Sequence, residues 1–133
     1  MKKFAVIIGI LLFTAACKQS PKAIQDPNNT SEMALAMRKM YNELILIKKD
    51  IEKSNSLTSK SFEFPPIHTM SPTDSSFIKP GFKENSNAFS KAAKLFNEKP
   101  SIEGYRALIM GCTTCHKAIC PGPLVRIETL ELN

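Results

Sequence analysis

Between Ser31 and Ser54 the chain reads SEMALAMRKMYNELILIKKDIEKS, and its apolar side chains fall in a rhythm. Met33, Met37, Met40, Leu44, Ile47 and Ile51 follow one another at spacings of 4, 3, 4, 3 and 4. That alternation draws a single stripe down a helix of about six turns, with Lys48, Lys49, Asp50 and Lys53 off the stripe. Asn29, three residues before Glu32, has the form of a capping box, and Glu32 suits the positive end of the helix dipole.

From Asn55 to Gly81 no period survives. Pro65, Pro66, Pro72 and Pro80 interrupt a serine-rich stretch, which predicts a long ordered loop with at most a short helical turn. A loop of that length in a small domain packs on something or serves a function. Periodicity returns in GFKENSNAFSKAAKLFNEK, where Phe82, Phe89, Ala92, Ala93 and Phe96 share one helical face. Pro100 ends that helix, and Ser101 is placed to cap the next, IEGYRALIMGCTTCHKAI. Along it Tyr105, Leu108, Ile109, Cys112, His116 and Ile119 lie on one side, and Pro121 stops it. The tail GPLVRIETLEL is apolar enough to fold back on the helices, and we expect it to do so as an extended, strand-like segment. Together these elements predict an all-α chain: an antiparallel bundle of three to four helices, a modified four-helix bundle with one long proline-rich loop.

The first thirty residues stand apart. MKK is a short basic run, FAVIIGILLF is apolar, and TAAC brings small residues before a cysteine. This is the layout of a signal peptide, too short for a spanning helix with polar flanks. A cysteine directly after the small residues resembles the lipobox of bacterial lipoproteins, which implies cleavage before Cys17 and a lipid on its sulfur. An ordinary signal peptide cut nearby would instead leave Cys17 as a stray thiol. The expected organisation is a signal peptide over 1–16, a polar tether over 17–30 punctuated by two prolines, and one domain over 31–133. Acyl chains contribute about 0.8 kcal/mol per buried methylene, enough in combination for stable anchoring. The expected location is therefore outside the cytoplasm, lipid-anchored to a bacterial membrane, with the domain in the periplasm or at the cell surface. The formal charge of +6 falls to +4 once Lys2 and Lys3 leave with the signal peptide. Such a modest excess lacks the basic stripe and aromatic platforms that nucleic-acid binding requires.

The chemistry concentrates in GCTTCHKAICPGP, residues 111–123, which holds three of the four cysteines and one of the two histidines. Cys-x-x-Cys-His is the attachment signature of c-type haem. Cys112 and Cys115 would each form a thioether to one edge of the porphyrin, and His116 would coordinate the iron axially. Cys112 and His116, four apart on a helix, face the same way. Three rivals compete. A structural zinc site needs four ligands, and Cys112, Cys115, His116 and Cys120 can hardly converge tetrahedrally from nine residues of one helix. A thioredoxin-like dithiol opens a helix after a strand, whereas this motif lies near a helix end. A structural disulfide leaves His116 without a role. Haem c, one per chain, is the expected cofactor.

A haem motif on the last helix of a helical bundle, with a long Met-bearing first helix, resembles the class II cytochromes c, the cytochrome c-prime family. The pattern covers roughly residues 31 to 120. The proline-rich stretch stands where that family has its second helix, and CPGPLVRIETLELN runs past the family's usual end. The resemblance implies that a methionine of the first helix fills the sixth iron position or that the position stays open. Met37 and Met40 are the methionines on the inward stripe. His68, on a loop pinned by prolines, is a further candidate for the sixth ligand, and imidazole binds haem iron more strongly than thioether. Arg38 and Arg106 are placed to meet the haem propionates. Cys120 is expected as a small buried hydrophobe.

The function this implies is electron transfer between redox protein partners by a membrane-anchored cytochrome c, an electron carrier rather than an enzyme. The alternative is a five-coordinate gas-binding or stress-protective haem protein of the cytochrome c-prime type. A peroxidase would need His68 to hang over the iron as a base without binding it. Class II relatives often pair through helices, but no dimer seam is legible in this sequence.

Overall fold

The computed structural model describes residues 30–54, 57 and 62–132. The expected signal peptide, Cys17, Asn29 and all of the tether but Thr30 lie outside the described residues. Four helices follow in order: α1 (Glu32–Ser54), α2 (Phe82–Glu98), α3 (Ile102–Ile119) and the short α4 (Leu124–Glu128). Among the described residues there is no strand.

Helix α1 buries Met33, Met40, Leu44, Ile47 and Ile51, five of the six positions of the stripe read from the sequence, and leaves Met37 half-buried. Its cap is Ser31, whose Oγ accepts from Ala34 N–H at 3.2 Å, one residue before the helix begins. Glu32 turns instead toward the loop, where Oε2 accepts from Ser71 N–H at 3.4 Å. Helix α2 opens at Gly81, whose φ of +85° is left-handed backbone that glycine adopts without strain. Helix α3 opens at Ser101, whose Oγ accepts from Gly104 N–H at 3.0 Å, as expected.

Helices α2 and α3 pack closely because glycines on α3 leave room for phenylalanine rings on α2. A Cβ added at Gly104 would lie 3.0 Å from Phe96 Cδ2, and one at Gly111 would lie 3.1 Å from Phe89 Cδ2. Position 104 meets 96 and position 111 meets 89, so the two helices are antiparallel. Helix α1 also opposes α3. Tyr105 Oη reaches Leu44 O at 3.5 Å, while Met33 and Met37 share a cavity with Cys115 and Ile119. Helices α1 and α2 therefore run the same way, and the loop between them must return the length of the bundle. It takes the place of one helix of an up-down-up-down bundle.

Polar clamps pin that loop at both ends. The Asn97 amide accepts from Phe62 N–H and donates to Phe62 O, both at 2.7 Å. At the far end, Met33 N–H donates to Ser71 O at 3.2 Å, and the Ser31 and Thr73 hydroxyls lie 2.9 Å apart. In place of at most a short helical turn, the loop holds two 3-10 turns, Ile67–Thr69 and Ser75–Phe77.

The tail differs from its expectation. It is helical at Leu124–Glu128, not strand-like. An extended tail needs a neighbouring strand for its amides and carbonyls. With no strand among the described residues, Leu124, Arg126 and Ile127 N–H close local bonds to Pro121 and Pro123 carbonyls at 3.0 Å. The tail still packs back: Ile127 and Leu130 are buried.

The glycine contacts yield a stability prediction. Gly104→Ala gains about 1 kcal/mol of helix propensity. It also drives a methyl against Phe96, which is 2% exposed and has nowhere to move, and to 3.3 Å from the capping Ser101 Oγ. Overpacking of this kind costs about 1–3 kcal/mol. We expect net destabilisation of up to about 2 kcal/mol by urea unfolding; a stabilised variant would mean that the Phe96 ring yields.

Candidate functional site

The open end of the bundle encloses a cavity of about 530 Å³, within the range that holds a cofactor-sized ligand. Helix α3 supplies Cys112, Cys115 and His116 to one wall, with Cys120 just past its end. Across from them α1 presents Met33, Met37 and Met40, with Arg38 and Tyr41 beside them. Phe64, Phe82 and Phe89 form an aromatic wall, in which the Phe64 and Phe89 rings sit 3.8 Å apart. The tail closes the remaining side with Arg126, Ile127 and Leu130. No aspartate or glutamate is among the described residues that line the cavity.

Within this space the His116 ring is fixed. Its Nδ1 lies 2.9 Å from the carbonyl oxygen of Cys120. A carbonyl only accepts, so Nδ1 carries the proton, and in the neutral ring Nε2 keeps the free lone pair. An imidazole with one nitrogen held by a backbone carbonyl and the other unprotonated is the usual arrangement of a metal-ligating histidine.

The thiols beside it are poorly suited to work as thiolates. Burial, reinforced by Cys115 and opposed by a backbone hydrogen bond, pushes the Cys112 thiol up to about 12. Burial also raises the Cys115 thiol above its ordinary value, with Cys120 adding to the effect. Dithiol exchange requires the thiolate, which these surroundings disfavour. Cys112, Cys115 and Cys120 are free of disulfides. Among the described residues, no three His, Cys, Asp or Glu side chains are grouped to hold a metal ion.

The two sixth-ligand candidates are placed differently. Met37 lines the cavity and is half-buried, whereas Met33 and Met40 on either side are core residues. His68 does not line the cavity. It sits on a 3-10 turn with Nδ1 2.9 Å from Ser86 Oγ, and Ser86, 1% exposed, stands between it and the interior. Arg106 is exposed on α3 and away from the cavity, while Arg38 lines it. Arg126 went unrecognised in the sequence because the tail showed no helical period to place it. In the structure it stacks over the Tyr41 ring at 5.0 Å from the centroid.

Three further side chains hold the tail against the cavity. Tyr105, fully buried, donates its hydroxyl to Leu130 O at 2.7 Å. Lys48 Nζ donates to Thr129 O at 3.0 Å and Glu131 O at 2.6 Å. The Tyr41 and Thr129 hydroxyls lie 3.0 Å apart. Comparison of the chain with protein-family models, curated proteins and solved structures finds no match.

Proposed function

We propose that this protein is a monohaem cytochrome c that carries electrons outside the cytoplasm, held to a membrane by a lipid on Cys17. The observation that carries the reading is His116: its imidazole lies on the wall of a largely apolar cavity with Nδ1 committed to Cys120 O, beside the two thiols of Cys-x-x-Cys. The residues present fit a haem. Cys112 and Cys115 would hold it through thioethers, His116 Nε2 would take one axial position of the iron, and Arg38 would meet a propionate. When bound, haem supplies a one-electron iron couple. The protein's part is to keep water out with Phe64, Phe82 and Phe89, to orient His116, and to hold α3 rigidly against α2.

For the sixth position the site favours Met37. It borders the cavity without being sealed into the core, whereas His68 is engaged with Ser86 outside the wall. A thioether opposite an imidazole raises the reduction potential relative to two imidazoles, which suits an electron carrier.

The test is an absorption spectrum and intact mass of protein exported by a host with haem-attachment machinery. We expect the mass of one haem added to the chain and a low-spin spectrum in both oxidation states. In Met37→Ala the reduced form becomes high-spin and binds carbon monoxide rapidly, while His68→Ala leaves the low-spin signal unchanged. A high-spin spectrum in the unmodified protein would favour the gas-binding alternative. Polypeptide without haem would refute the reading.

A further inference from the structure

Among the described residues that line it, the cavity has cationic side chains and no anionic one. Arg38 from α1 and Arg126 from α4 line it, and no carboxylate does so among the described residues. Among those residues no carboxylate forms an ion pair with Arg126 either. The Arg126 guanidinium, at the edge of an apolar cavity and with no carboxylate paired to it among the described residues, suits an occupant that brings its own negative charge.

The position of Arg126 is fixed rather than incidental. Helix α4 is held by the buried Tyr105 hydroxyl on Leu130 O, by Lys48 on two tail carbonyls, and by burial of Ile127 and Leu130. The guanidinium rests on the Tyr41 ring, a contact that restrains a long side chain before any ligand arrives. An ordered arginine loses less freedom on pairing than a solvated one.

We infer that Arg126 is a positioning and potential-setting residue that pairs with a carboxylate of the cofactor, and that the tail helix exists in part to hold it there. The inference rests on the haem reading above. Arg126 neutralises a propionate that would otherwise favour ferric iron, so it raises the reduction potential. The tail then tunes the iron couple without touching the iron.

The experiment measures midpoint potentials of the haem-loaded full chain and its Arg126→Gln, Arg126→Lys and Arg126→Glu variants, each checked for haem by intact mass. At a fixed potential the reduced-to-oxidised ratio should fall about threefold to tenfold in Arg126→Gln, and further in Arg126→Glu. It should stay within about twofold of wild type in Arg126→Lys, which keeps the charge. Thermal unfolding of each variant and the potential of Tyr41→Phe, which keeps the ring under residue 126, serve as controls. An effect that follows charge supports the assignment. Equal potentials in all four chains, or a shift in Arg126→Lys as large as in Arg126→Gln, would overturn it while leaving the haem reading intact. A wild-type chain without haem would overturn both.

Discussion

Exchanging Cys112 and Cys115 together for alanine should leave an exported protein whose colour is stripped completely by acidified organic solvent. In the wild-type chain the colour should stay with the polypeptide through the same extraction. The two thiols are the proposed covalent links to the haem, and both lie on the cavity wall beside His116. The substitutions leave the rest of the site in place. Phe82 and Phe89 still wall the cavity, His116 keeps its bond to Cys120 O, and the core below Tyr105 is untouched. A haem that enters non-covalently is therefore retained in native buffer and lost on denaturation. Cys120 cannot substitute: it lies five residues past Cys115, beyond the end of α3, so its sulfur has a different reach from the helix. Each single alanine variant should keep one thioether and resist extraction, with the absorption maximum shifted by the unsaturated vinyl group. Cys120→Ala should behave as wild type. Colour that survives extraction from the double variant would place the attachment elsewhere.

The second large effect appears in the apoprotein as pH rises. Cys112 titrates at about 12 in the fold, against an ordinary value of 9.0, because burial disfavours the thiolate. Below pH 9 the thiol is neutral in both folded and unfolded chains, and its contribution is fully present. Between pH 9 and 12 the unfolded chain releases a proton that the folded chain retains, so stability falls with each step in pH. The full gap corresponds to on the order of 4 kcal/mol, as an upper bound. Cys115 acts in the same direction, and so does Tyr105, whose hydroxyl is raised by burial first and then by Glu52 and Cys112. Urea unfolding of apoprotein at pH 8, 9, 10 and 11 should show this loss. Cys112→Ala apoprotein should show a shallower one. In the haem-loaded form the sulfurs are thioethers with no proton to release, so only the Tyr105 share remains. An apoprotein equally stable across that range would mean that Cys112 is solvated in the fold.

Much of this architecture could be read from residue spacing, and its gaps have physical causes. The stripe Met33 to Ile51 and the face Phe82 to Phe96 were legible because burial on one side of a helix leaves a period of 3.6. Ser101 and Pro100 marked a boundary through local chemistry alone. The loop was legible as a loop, but its course depends on Asn97 grasping Phe62, a contact between residues 35 apart. The tail was misjudged because its five-residue helix is too short to show a period. Its conformation follows from local amide bonds and from packing against Tyr105 and Tyr41. That misjudgement concealed Arg126. In the motif, spacing singled out Cys112, Cys115 and His116, and the structure adds only that these three and Met37 border one cavity while His68 does not.

The manner in which α3 stops has a bearing on the imidazole above it. An uninterrupted helix would commit the Cys120 carbonyl to the amide of Leu124, four residues on. Pro121 turns the chain aside, Leu124 N–H donates to Pro121 O at 3.0 Å, and the Cys120 oxygen remains available for His116. Pro121 does not line the cavity. A terminator placed five residues beyond the histidine thus leaves unspent the one lone pair that tells the ring which way to face.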